Sequence, residues 1–150
     1  MVPDWSLITY LTLMPNVKLT TTATRTHYAI EQGWPVIVNE GGARSGKSFG
    51  IIQLLIGIAT KTKTRISIVS HSLPHIKRGA YRDFRQIMEE IGAWDDSRFS
   101  YSEYIYTFKN GSYIELFGLE EPGKARGPGR DILFINEANL VSKILFDQLA

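Results

Sequence analysis

The segment Glu40-Gly41-Gly42-Ala43-Arg44-Ser45-Gly46-Lys47-Ser48 restricts the folds open to this chain more than any other stretch. It fits the pattern G-x-x-x-x-G-K-[ST], with Gly41 and Gly46 as the fixed glycines and Lys47 and Ser48 directly behind them. Glycine lets the backbone turn tightly and aim successive N–H groups inward at phosphate oxygens. In such a loop Gly41, Gly42, Ala43, Arg44, Ser45 and Gly46 surround the phosphates, Lys47 reaches the β- and γ-phosphates, and the Ser48 hydroxyl ligates Mg²⁺. The bland alternative is a Gly-rich turn that happens to match, and the flanks argue against it. Pro35-Val36-Ile37-Val38-Asn39 suits a short buried strand, and Phe49 to Ala59 is apolar enough for a buried helix. Strand, glycine loop and helix is the order a nucleoside triphosphate site requires, with the positive end of the helix facing the phosphates.

At 150 residues the chain is one domain or part of one, long enough to bury a core. Its 43% hydrophobic and 21% charged residues are ordinary for a globular protein, and a formal charge of +2 permits nucleic-acid contact without arguing for it. Cysteine is absent, which excludes disulfides and thiolate metal sites and leaves a reducing cytoplasmic setting unopposed. The apolar run Leu7 to Met14 has no Lys or Arg before it, so it lacks the basic start of a signal peptide, and no run approaches the length of a membrane span.

Residues 1–34 read as an approach segment in which Thr20 to Thr26 leads into a short helix, His27 to Gln32, closed by Gly33. Tyr28, Gln32 and Trp34 are candidates for contacting adenine just upstream of the phosphate loop; packing and a turn are the simpler roles. Residues 65–70 carry a β-branched run that predicts a second core strand. A helix from Pro74 to Ile91 follows, with Ser72 near its N-cap and Gly92 at its stop. On it Arg78, Arg82 and Arg85 share one face, either a solvated stripe or a surface for phosphates. His71 and His75 lack a third ligand nearby, which leaves zinc little support.

Tyr101 to Phe108 and Ser112 to Phe117 are strand-like runs joined through Lys109-Asn110-Gly111, and Asn-Gly predicts a type I′ hairpin. The Gly/Pro-rich loop Glu120 to Arg130 carries Lys124, Arg126 and Arg130 and enters the strand-like run Asp131 to Ile135, which ends in Asn136-Glu137. That is either a core strand with a polar end or the shape of a Walker B segment, in which an acidic residue orients Mg²⁺ and a following Glu polarises the attacking water. Glu137 suits the second role. Asn136 stands in the first position with an acceptor oxygen but no charge, acting on Mg²⁺ through its water shell unless Glu137 serves both tasks.

The blocks GGARSGKS, VSHSLPHIKRGAYRDF, the NGS hairpin tip and FGLEEPGKARGPGRDILFINEAN resemble, in that order, the ATPase domain of tailed-phage terminase large subunits. The resemblance runs from about Lys18 to Leu140, and Asn136 departs from the usual Walker B Asp. It implies a ring-forming ATPase that uses ATP and Mg²⁺ to drive double-stranded DNA into a capsid in the host cytoplasm, with the portal protein and the terminase small subunit as partners. It also implies that Arg44 senses the γ-phosphate and that Glu137, Arg44 and Lys47 carry catalysis.

The expected architecture is an α/β, three-layer P-loop NTPase with a mainly parallel sheet, helices on both faces and an inserted antiparallel hairpin, incomplete at the C-terminus. Residues 1–34 would be the approach segment and 35–150 a partial ATPase domain, with the nuclease domain absent and little turnover from this chain alone. A helicase-like nucleic-acid ATPase, a P-loop small-molecule kinase and a non-catalytic binding module remain open. Glu137, suited to activating water, argues against the kinase.

Overall fold

The structure, a computed structural model, describes residues 20–34, 37, 47–121 and 129–136. Helix α1 spans Thr21–Glu31, so the Thr-rich stretch is its first half rather than a lead-in to a helix at His27. Thr20 explains the early start: its Oγ1 accepts a hydrogen bond from the Ala23 N–H at 3.1 Å, which satisfies one of the orphan donors of the first turn. Ala23, Thr26, His27 and Ala29 are buried.

Helix α2 spans Lys47–Lys61 and packs against α1, with Gly50 so close to Thr20 that a Cβ there would strike the Thr20 hydroxyl. Every residue from Gly50 to Gly57 is buried, as a helix that is apolar around its whole circumference must be. Strand β1, Arg65–Ser70, follows with the predicted bounds.

The single helix expected from Pro74 to Ile91 is two. Helix α3 runs Leu73–Arg78 and α4 runs Ala80–Glu90, separated by Gly79 at φ −113° and ψ −95°. Ser72 stands at the N-cap and Pro74 in the first turn of α3, and Gly92 stops the chain after α4 at φ 69°.

The sheet has five strands in the order β2-β3-β4-β1-β5. Strands β2 (Phe99–Ser100), β3 (Ile105–Thr107) and β4 (Tyr113–Gly118) form an antiparallel meander. Strand β4 then runs parallel to β1, and β1 runs parallel to β5, Ile132–Ile135. The strand expected from Tyr101 to Phe108 is interrupted: the Tyr104 N–H bonds the Ser100 carbonyl at 2.7 Å with φ 57° at Tyr104, a tight turn between β2 and β3.

The NGS hairpin is present, but its turn is not type I′. Only Gly111 has positive φ, at 89°, and its N–H bonds the Phe108 carbonyl at 3.0 Å while the Phe108 N–H bonds the Ser112 carbonyl at 2.8 Å. Three loop residues with a left-handed last one let the strands keep their twist without forcing Asn110 left-handed.

One face of the sheet carries the main core: Ile66, Ile68, Ile114 and Leu116 meet Ile52, Leu55 and Ile56 of α2 and Phe84, Ile87 and Met88 of α4. Alternation along the strands sends Val69, Phe117, Leu133 and Ile135 to the opposite face, where they form a second apolar cluster with Leu119. The strand expected from Pro35 to Asn39 lies outside the described residues apart from Ile37. At the end of β4, Gly118 packs so closely on the backbone of Ser72 and Leu73 that any side chain there would collide with it.

Candidate functional site

Strands β4, β1 and β5 end at Gly118, Ser70 and Ile135 on one edge of the sheet. Parallel α/β sheets place their ligands outside this carboxyl edge, where the following loops diverge. Helix α2 begins there, since Ser48 in its first turn donates a hydrogen bond from Oγ to Asn136 Oδ1 at 2.8 Å. Eighty-eight positions separate the two in sequence. The Asn136 N–H is itself fixed by the Val69 carbonyl at 2.8 Å, so the side chain projects from a position set by the β1–β5 ladder.

The Asn136 side chain meets Ser48 itself. Its oxygen accepts from Ser48 directly, which fixes the hydroxyl proton and leaves the Oγ lone pairs for another partner. A hard divalent cation prefers such an oxygen, although neither group brings the negative charge that strengthens Mg²⁺ binding. Lys47, partly buried, is the first residue of α2. Gly41, Gly42, Ala43, Arg44, Ser45 and Gly46 lie outside the described residues, and so does Glu137.

A depression of about 290 Å³ opens beside Asn136, lined also by His75, Arg78, Gly79 and Arg82. The break between α3 and α4 creates it. A Cβ built on Gly79 would lie 3.8 Å from Asn136 Nδ2, which places the α3–α4 junction directly against the amide. The Ser72 hydroxyl, 2.7 Å from His75 Nδ1, fixes the imidazole. The expected three-arginine stripe is therefore divided. Arg78 and Arg82 face the depression, whereas Arg85 bonds Glu89 Oε1 at 2.9 Å and the Tyr81 and Tyr101 hydroxyls at 3.1 Å, and lies 4.7 Å from the centre of the Trp94 ring.

Two features at this edge escaped the sequence reading. Ser70 Oγ is buried without a hydrogen-bond partner among the described residues, and Gly79 divides a helix that looks continuous by periodicity. An isolated glycine within a helical pattern is the one local signal for the second. Burial pushes the Asp83 carboxyl up, with Arg82 at 3.9 Å opposing the shift. Among the adenine candidates, Gln32 is the C-cap of α1, while Tyr28 and Trp34 are 45% and 59% exposed. Within the basic loop, Lys124 and Arg126 lie outside the described residues, and the Arg130 guanidinium sits 5.8 Å from the centre of the Phe117 ring. His71 and His75 meet edge to face, and no group of three or more His, Asp or Glu side chains able to hold a metal occurs among the described residues. No helix among them is long and apolar enough to cross a membrane.

No protein-family model matches the chain, and no curated protein matches it. Among solved structures, a large terminase from a thermophilic bacteriophage is similar, with a TM-score of 0.60 over 88% of this chain and 16% sequence identity. The chain corresponds to 34% of that terminase's length. Identity that low speaks to fold, and by that measure the mixed α/β sheet described above is a terminase-like fold.

Proposed function

We propose that this chain is the nucleotide-binding part of a DNA-packaging ATPase of the terminase large-subunit kind. The observation that carries the reading is the Ser48–Asn136 bond at the carboxyl edge of the sheet, which joins the end of the G-x-x-x-x-G-K-S segment to the end of the Asp131-to-Ile135 strand. Two stretches that sequence alone pairs only by motif are thereby neighbours in the place where such folds bind ligands.

In this reading the backbone of Gly41 to Gly46 cradles the phosphates of ATP, and Lys47 neutralises charge on the β- and γ-phosphates. Mg²⁺ would be held at the Ser48 hydroxyl and would supply positive charge to offset that of the phosphates. Ser48 supplies its protein ligand, and Asn136 holds that hydroxyl in the orientation that exposes its lone pairs. Glu137 orients the attacking water, and Arg44 senses the γ-phosphate. Double-stranded DNA, the portal protein, a terminase small subunit and a homo-oligomeric ring in the host cytoplasm are the partners and setting that the terminase resemblance brings.

The test is nucleotide binding by this chain, followed calorimetrically with ATPγS and Mg²⁺. The Lys47→Ala chain is expected to bind about ten- to a hundredfold more weakly, the range for losing a charged hydrogen-bond partner. Equal affinity of both chains would remove the phosphate loop from the proposal.

A further inference from the structure

We propose that the depression beside Asn136 receives a single tetrahedral phosphate, namely the γ-phosphate of the bound nucleotide and the inorganic phosphate it becomes. The inference rests on the nucleotide-site reading above and assigns to Arg78 and Arg82 a role that no motif gives them. Four observations converge on it.

The walls are His75, Arg78, Gly79, Arg82 and Asn136, with no carboxylate among these described residues. Arg78 forms no ion pair among the described residues, and Arg82 has only a long reach to Asp83, at 3.9 Å with its own side chain 72% exposed. Two guanidiniums without firm partners suit an anion, because each presents a planar fork that fits two phosphate oxygens at once. A third observation ties the anion to the nucleotide: Asn136 forms one wall and simultaneously accepts from Ser48, so the depression and the Ser48 hydroxyl share a side chain.

The fourth observation separates this ligand from a nucleic-acid backbone. A duplex offers phosphates in rows and would call for a continuous basic face. Arg85, which would extend the row, is instead bound to Glu89, Tyr81 and Tyr101 and stacked near Trp94. What remains is a concave site with two arginines side by side, which suits a compact phosphate group and not a strand.

The experiment compares ATPγS and ADP affinities of the wild-type chain with those of Arg78→Gln, Arg82→Gln and Lys47→Ala, each checked for an unchanged thermal melt. Arg78→Gln and Arg82→Gln are expected to weaken ATPγS about tenfold and leave ADP unchanged, since only the triphosphate reaches the depression. Lys47→Ala is expected to weaken both. An unchanged ATPγS-to-ADP ratio in both arginine variants, with Lys47→Ala still weakening both ligands, overturns the phosphate site and spares the nucleotide reading. If the wild-type chain binds neither nucleotide, that reading fails by itself. Inorganic phosphate then decides the pocket: saturable shifts of the Gly79 and Asn136 amide resonances, lost in Arg78→Gln, support it, and their absence overturns it. Should a glutamine variant melt early, Arg78→Lys and Arg82→Lys keep the charge without the fork and are expected to weaken ATPγS by a smaller factor; wild-type affinity in both would count against the site.

Discussion

The two ends of the parallel strands are built on opposite plans. At the amino end the hairpin tip closes over the end of α2 with its polar side chains paired. Ser112, fully buried, donates to the Ala59 carbonyl at 2.7 Å and accepts from the Thr64 N–H at 2.9 Å. Asn110 donates to the Ala59 carbonyl at 2.8 Å and accepts from the Ser112 N–H at 2.9 Å. These side chains satisfy carbonyls that a helix end leaves open. At the carboxyl edge, by contrast, Ser70 Oγ has no partner and Arg78 no counter-ion among the described residues, and a helix is broken beside Asn136. Among the described residues, Ser112 and Asn110 are fully engaged at the hairpin tip, whereas Ser70 and Arg78 keep unspent hydrogen-bonding capacity at the carboxyl edge, where a ligand can use it.

Substitution at each end should separate these properties. Ser112→Ala strands a buried N–H and the carbonyls it served, so it is expected to cost about 2 kcal/mol of unfolding free energy in urea. ATPγS affinity of the folded fraction should stay at the wild-type value; a loss of affinity without loss of stability would erase the contrast between the ends. Asn136→Ala is expected to do the reverse. It should move stability by less than about 1 kcal/mol and weaken Mg²⁺-dependent ATPγS binding roughly three- to tenfold, the worth of one neutral hydrogen bond. Calorimetry with and without Mg²⁺ checks it, and an equal loss in both conditions would sever Asn136 from the metal.

The smallest expected effect belongs to the exposed pair at the amino end. Arg65 Nη2 lies 3.1 Å from Asp131 Oδ1, and the Arg65 N–H donates to Asp131 Oδ2 at 2.9 Å. These contacts hold the Asp131 carboxyl below its usual range. A depressed carboxylate adds stability that is present above its unfolded pKa of about 3.9 and disappears as pH falls through the folded value. Asp131→Asn is therefore expected to flatten the acid limb of the stability profile below about pH 4 and to change little at neutral pH. An unaltered acid limb in urea titrations would show that the pair is energetically silent.

The elements dictated by local pattern were legible in the sequence. The β-branched run of residues 65–70 is a strand with those bounds, and Phe49 to Ala59 lies within α2, because apolar periodicity decides such segments whatever surrounds them. The Thr-rich start of α1 was not legible, since threonine is a modest helix former and the deciding factors are the Thr20 cap and burial against α2. Nor was the Gly79 break, which lies against Asn136, a residue 57 positions further along the chain, as the two residue numbers give. At the site, spacing proposed Ser48 and Asn136 separately. Their direct bond depends on the strand order, which brings β5 beside β1, and no local signal encodes that order.

The position of β1 between β4 and β5 also has a kinetic meaning. Strand β4 pairs with one side of β1 from residue 113 onward, but the other side is taken by β5, whose residues come last in the described sheet. Closing the loop from Ser48 to Asn136 carries the entropic penalty of a long-range contact, and such contacts form slowly. During synthesis, α2 and β1 leave the ribosome well before Asn136 does, so a nascent chain holds Ser48 before its partner exists. The Ser48–Asn136 contact is thus expected late in folding, since it requires β5 to have docked beside β1.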